Sequence, residues 1–156
     1  MKFAAREDIE APAEFVFDTL TDFEHFERAA LRRGAGVVRK DGAKGPAWQL
    51  AFAWRGKRRE AVLRLEETAR PSAMRFGFGS RVIDGESRVE LIALGPKRTR
   101  MSVSTEVRPR TLPARLFLQS LKLARARVLG RYRNRVGQLA ALVRDRNAAS
   151  GGGAAG

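Results

Sequence analysis

Apolar and polar positions alternate with a period of two over most of the chain, and with a period near 3.6 only at its two ends. Lys2 to Ala11 puts Phe3, Ala5, Glu7, Ile9 and Ala11 on one face and Lys2, Arg6, Asp8 and Glu10 on the other, the pattern of a half-buried strand. Pro12 opens a helix carrying Phe15, Val16, Phe17 and Leu20, and Thr21-Asp22 caps a second short helix from Phe23 to about Arg33. Six further strands are predicted. They cover Val37–Lys40, a run from Pro46 with Trp48, Leu50, Phe52 and Trp54 on one face, Lys57–Thr68, a run with Met74, Phe76 and Phe78, Arg88–Leu94, and Thr99–Val107. Turn signals separate them at Asp41-Gly42, Gly56, Pro71-Ser72, Asp84-Gly85 and Gly95-Pro96.

The last long stretch, Leu112 to Arg146, reads as a single amphipathic helix. Phe117, Leu121, Ala124, Val128, Tyr132, Leu139 and Leu142 form its stripe, and Pro109 and Pro113 bracket its start. It would run about 50 Å at roughly 1.5 Å per residue. A stripe of that length needs a cover, and the strands upstream are the available cover. The expected domain is 1–146, followed by an Ala/Ser/Gly tail over 147–156 with nothing to bury.

Composition narrows the choice. A chain of 156 residues, 44% apolar, supports one domain with a sizeable core. There are no cysteines, which removes disulfides, thiol nucleophiles and cysteine-based zinc sites. No long apolar run and no secretory h-region is seen, so a cytoplasmic protein is expected. The formal net charge of +14 makes anionic partners worth considering. Compositional bias in an Arg-, Ala- and Gly-rich chain accounts for the same excess, and both readings stand at this point.

The order β-α-α-β-β-β-β-β-β-α, with the segment DIEAPAEFVFDTLTDFEHF from Asp8 to Phe26, resembles the START-like (SRPBCC) superfamily of polyketide cyclases, lipid-transfer domains and plant allergen-type proteins. The resemblance implies an α+β helix-grip fold, a seven-stranded antiparallel sheet curled around a long C-terminal helix, with two short helices after the first strand. It implies a cavity between sheet and helix, and a small hydrophobic or amphipathic cargo such as a lipid, a quinone or a polyketide-like molecule. The rival readings are a polyketide cyclase or dehydratase, and a basic-surface binder of acidic membrane or nucleic acid.

The residues offer walls more clearly than chemistry. Trp48, Leu50, Phe52, Trp54, Leu63, Phe76, Phe78, Met101, Val103, Phe117, Leu121 and Val128 are the expected lining of an apolar site, or else simply core. Polar groups that could reach it are Glu7, Gln49, Thr105 and Tyr132, none at a diagnostic catalytic spacing, so no catalytic residue is assigned. Glu7 faces inward by alternation and is expected to pair with an arginine of the last helix or a neighbouring strand. Arg125, Arg131 and Arg135 flank the helical stripe, either as snorkelling stems or as a basic entrance. One histidine, His25, and no ligand cluster argue against a metal site, and no motif implies a cofactor. The expected partners are a small hydrophobic ligand and, weakly, an anionic membrane surface. Nucleic acid is disfavoured because the aromatics fall on predicted inward faces, where bases cannot stack on them.

Overall fold

A computed structural model describes residues 1–42 and 44–151. Seven strands, β1 (Lys2–Ile9), β2 (Gly36–Gly42), β3 (Gly45–Trp54), β4 (Lys57–Ala69), β5 (Ala73–Gly79), β6 (Ile83–Gly95) and β7 (Arg98–Pro109), form one antiparallel sheet. Its order is β1-β7-β6-β5-β4-β3-β2, so the first and last strands pair and every other neighbour is a hairpin. Helices α1 (Ala13–Leu20) and α2 (Phe23–Arg32) sit between β1 and β2, and α3 (Leu112–Leu123) and α4 (Arg125–Ala149) follow β7. This is the α+β helix-grip architecture that the family resemblance implies, built on the strands that the alternation predicts.

Alternation fixes the faces and the register keeps them together. Phe3, Ala5, Glu7 and Ile9 of β1 lie opposite Thr105, Val103, Met101 and Thr99 of β7 on the inner face. The core continues through Val89 and Leu91, Met74, Leu65 and Trp48, and is closed by Val16, Phe17 and Leu20 of α1 and Val136, Ala140 and Val143 of α4. On the outer face charges pair instead. Arg100 donates to Asp8 at 2.9 Å, and Arg75 donates to Glu66 and Glu67 at 2.6 Å each. Its bond to Arg100 is the main reason the Asp8 carboxyl sits below the usual aspartate range.

The corner between β1 and α1 is tied by polar bonds. Thr99, fully buried, donates its hydroxyl to the Ala11 carbonyl at 2.8 Å. From the far end of α4, buried Asn147 donates to the Glu10 carbonyl at 3.1 Å, and Arg146 pairs with Asp22 at 3.0 Å. Asp22 also caps α2 by accepting from the His25 N–H.

Three expectations change. The C-terminal helix is two helices, broken at Ala124, whose φ and ψ of −109° and 27° leave the helical region. No proline or glycine marks the break. It lies where the chain passes from packing on β7, as α3, to packing on β1, as α4. The break also resets the stripe, so that the fully buried positions of α4 are Val136, Ala140, Val143 and Asn147. Second, α4 runs on to Ala149, because Asn147 has the buried hydrogen bond just described, and the Ala/Ser/Gly tail begins later than expected. Residues 152–156 of that tail lie outside the described residues. Third, Asp84-Gly85 is not a turn but part of β6. Gly85 is required there by crowding, since a Cβ would collide with the Glu106 carbonyl and the Phe78 ring.

Val143, with none of its surface exposed, offers the sharpest test of this packing. Val143→Asp places an unpaired carboxylate between α4 and the sheet and should lower stability by about 3–5 kcal/mol in urea denaturation. Loss of less than about 1 kcal/mol would show that α4 does not close the core.

Candidate functional site

The helices cover the inner face unequally. α4 lies along β1, α1 sits on β6 and β7, α2 abuts β2 and α3 abuts β7, while none packs broadly on β3, β4 or β5. The inner surface of those three strands is closed at Trp48, Leu65 and Met74, which are buried, and loosens into a partly open groove along half-buried Leu50, Leu63, Phe76 and Phe78 towards exposed Phe52 and Trp54. It is walled by α2, where Phe23 meets Trp48 edge-on at 5.0 Å, and by α3, where Phe117 meets Trp54 edge-on at 5.7 Å.

The expected wall residues divide along this line. Trp48 and Met101 are buried core. Leu50, Leu63, Phe76, Phe78, Val103, Phe117, Leu121 and Val128 are half-buried. Phe52 and Trp54 remain 37% and 44% exposed, although Phe117 of α3 meets one edge of the Trp54 ring. Leu50, Leu63, Phe76 and Phe78 share the groove floor through the pairs Leu63↔Phe78 and Leu65↔Phe76. Val128 and Leu121 flank the helix break and do not pack into the centre of the core as the unbroken helix would have placed them.

The polar candidates divide too. Gln49 is exposed and pairs with Val38 and Val62 on the outer face, which removes it from the site. Thr105 and Tyr132 are brought together, with their oxygens 2.9 Å apart, and Ser87 extends the chain at 2.8 Å from Thr105. Phe3 stacks on the Tyr132 ring at 5.4 Å. Leu65, Phe76, Ser87, Thr105 and Phe3 form one cross-strand row, so this hydroxyl chain borders the groove floor directly. Burial raises the Tyr132 phenol above its ordinary value, partly offset by its bond to Thr105, and keeps it protonated at neutral pH.

Glu7 faces inward, half-buried, with its carboxylate against Gly137 of α4. Among the described residues no arginine lies within ion-pair distance of it, contrary to expectation; the arginines of α4 project away from the buried stripe. Arg125, Arg131 and Arg135 are all exposed, and Arg125 donates to the Lys2 carbonyl at the β1 edge.

The groove also holds a cation that the sequence reading passed over. Arg59 pairs with Phe52 across the β3–β4 hairpin and so shares the inner face, two residues before Ala61 in the same alternation. Its guanidinium lies over the Trp54 ring at 5.3 Å, and its Nε is buried with no acceptor. The signal was present in the periodicity of β4; extending the inward set Ala61, Leu63 and Leu65 back by two would have found it. Ser87 was equally legible from Val89 and Leu91.

Concavities of about 570 and 280 Å³ open away from these residues, one beside Arg6, Ser102, Ser104 and Arg133 and the other over Glu67, Arg75 and Arg88. Neither has the aromatic walls of the groove. Among the described residues no group of three or more histidines and carboxylates could hold a metal ion. No helix among them is long and apolar enough to cross a membrane.

The architecture is that of a helix-grip protein. The chain belongs to the family described as polyketide cyclase / dehydrase and lipid transport, whose model matches residues 1–144. Among solved structures it is similar to a protein of Thermus thermophilus, with 19% identity, a TM-score of 0.67, and coverage of 92% of this chain and 97% of the other. It is similar also to the Zhui aromatase/cyclase of Streptomyces sp. R1128, with 12% identity, a TM-score of 0.66 and coverage of 95% of each chain. A START superfamily protein of Mycobacterium smegmatis shares 17% identity and a TM-score of 0.55 over 83% of this chain and 95% of its own. At such identities the likeness is one of fold. Among curated proteins none matches.

The chain has a single tyrosine, so the hydroxyl chain can be read spectroscopically. An ultraviolet titration should find Tyr132 ionising above the ordinary tyrosine value of about 10. Thr105→Val should push it higher still, because it removes the bond that opposes the effect of burial. The sign for stability follows. The phenol's contribution is fully present below about pH 10 and is lost as pH rises through the folded value. A downward shift in Thr105→Val would contradict the assignment.

Proposed function

We propose that the protein binds a small hydrophobic or amphipathic molecule, a lipid, quinone or polyketide-like compound, in the inner-face groove. The observation that carries this reading is a row of aromatic and aliphatic side chains on β3–β5, Leu50, Leu63, Phe76 and Phe78, that stays only half-buried and runs out to exposed Phe52 and Trp54. Burying such a surface is favourable at roughly 25 cal/mol per Å² of apolar area. The guest's apolar body lies on Leu50, Leu63, Phe76 and Phe78. Its polar end has two candidate anchors, the Thr105–Tyr132 hydroxyls on one side and the Arg59 guanidinium on the other.

Arg59 suggests which end groups are preferred. A buried N–H without an acceptor costs about 1–3 kcal/mol, and a carboxylate, phenolate or enolate oxygen removes that cost. A long-chain fatty acid and its methyl ester form the discriminating pair. The acid should perturb Trp54 emission and raise stability by RT ln(1 + [L]/Kd), roughly 2.7 kcal/mol at a hundredfold excess over Kd. The ester should bind more weakly. Arg59→Met, close in length and apolar, should leave the free protein as stable or more so and remove the preference for the acid. Indifference of both Trp emission and melting temperature to fatty acids, quinones and aromatic polyketides would end the binding reading.

The hydroxyl chain favours a second reading, a cyclase or dehydratase acting on a polyketide-type chain. Tyr132, held protonated by burial and aligned by its bond to Thr105, would donate a proton to a carbonyl or enolate oxygen lying over Phe76. Under this reading Tyr132→Phe should abolish turnover of a poly-β-carbonyl substrate while leaving its binding within about threefold, since it loses one hydrogen bond worth about 1 kcal/mol. Unchanged turnover in that variant would leave binding as the function.

A further inference from the structure

We propose that the outer face of α3, together with the tip of the β3–β4 hairpin, is a docking surface for an anionic phospholipid bilayer. The proposal does not rest on the ligand reading, since a surface can dock whether or not the groove carries a guest.

α3 is apolar on two sides. Ala114, Phe117 and Leu121 face the protein. Leu112, Leu116 and Leu123 face away and are 67%, 57% and 93% exposed. On a helix turning about 100° per residue these three positions fall within about 40° of one another, so they form one continuous stripe with nothing on it. Ordinary surface leucines are scattered; a leucine stripe along an entire amphipathic helix marks an interaction site.

The hairpin tip lies beside this helix. Trp54 contacts Phe117 and is 44% exposed, with its ring at the rim, where tryptophan is favoured at a membrane interface. Arg55, the first residue of the two-residue turn, has a φ of +52°, a conformation uncommon for a residue with a side chain, and Gly56 follows at +74°. The arginine is held there by its guanidinium, which lies 4.8 Å from the Trp54 ring and 4.9 Å from the Phe117 ring.

Charge identifies the occupant. On the sheet's outer face several arginines are paired with carboxylates, as at Arg75, Arg100 and Arg108. Those at the α3 end are not. The sequence has no aspartate or glutamate between Val107 and Arg144. Among the described residues Lys57, Arg58, Arg115, Lys122 and Arg127 have no carboxylate within 4 Å. Arg115 and Lys122 border the leucine stripe on one side. An apolar stripe edged by unpaired cations matches a layer of acyl chains beneath anionic headgroups. A second copy of the chain would bring two cationic rims together. Nucleic acid would satisfy the cations but offers leucine neither stacking nor hydrogen bonding.

The test is flotation of the full chain with vesicles of equal parts phosphatidylcholine and phosphatidylglycerol at about 0.15 M salt, where the Debye length is roughly 8 Å. The protein should float with these vesicles and not with phosphatidylcholine alone. Leu116→Asp with Leu123→Asp touches only exposed positions and should keep the melting temperature, yet weaken vesicle binding by more than about tenfold. Arg115→Gln with Lys122→Gln should weaken it by about fivefold per charge removed. Binding of small ligands in the absence of vesicles should be unchanged in all of these variants, which separates this proposal from the groove. The proposal is overturned if the parent protein fails to float even at low salt, if the double-aspartate variant floats as well as the parent, or if phosphatidylcholine alone suffices. It is equally overturned if duplex DNA displaces the vesicles and binds the aspartate variant unchanged, or if sedimentation shows a dimer that the aspartate variant dissolves.

Discussion

The seating of α4 along β1 is the contact on which the rest of the molecule depends. Val136, Ala140 and Val143 press on the inner face, and the last turn is pinned by Asn147 to Glu10 and by Arg146 to Asp22. That pinning joins the C-terminal end of the chain to the corner where β1 hands over to α1. Because β1 and β7 are paired, one helix position also locks the closing edge of the sheet. The bonds involved are modest singly, about 1 kcal/mol each for neutral pairs, but they converge on buried groups, where a missing partner costs more than a present one adds.

A helix committed to β1 cannot also cover β3. The inner face thereby grades from a closed core, which still includes Trp48, Leu65 and Met74, to a partly open groove. The boundary falls on the row Phe76, Ser87, Thr105 and Tyr132, where hydroxyls line up beside the aromatic floor. Polar groups at such a boundary satisfy one another while no guest is bound and can exchange one bond for a guest's oxygen. Arg59, at the other end of the floor, has no partner to exchange. The two ends of the groove thus differ in chemistry, which favours guests that are themselves unsymmetrical.

The charge of +14 acquires a shape once the fold is known. Where strands lie side by side, cross-strand neighbours of opposite sign pair, and the outer sheet face is close to self-neutralised there. Cations on α3 and at the hairpin tip have no such neighbours, because the helix is free of acids and Lys57 and Arg58 lie opposite Trp54 and Ala53. Compositional bias explains how many arginines the chain has, and among the described residues cations without a carboxylate partner also occur elsewhere, as at Arg6, Lys40 and Arg133. What sets the α3 end apart is that such cations border exposed leucine and tryptophan.

Periodicity alone determined the strands, their inward and outward sets, and the α+β order, because side-chain alternation is a local property of an extended backbone. The family followed from the same elements. The inward placement of Phe76, Phe78 and Thr105 was legible for this reason, and Arg59 and Ser87 were legible by the same rule although they went unread. Gln49 was misassigned to the site in spite of the alternation that places it opposite Trp48. What no local pattern carried was which inward residues would be covered. The break at Ala124 has no proline or glycine to announce it, and it arises because α3 and α4 pack on different strands. The exposure of Phe52 and Trp54, the solitary Glu7 and the outward leucines of α3 were likewise unannounced by any local pattern. They are consequences of where a helix lies, and a helix's position is decided by contacts between residues far apart in sequence.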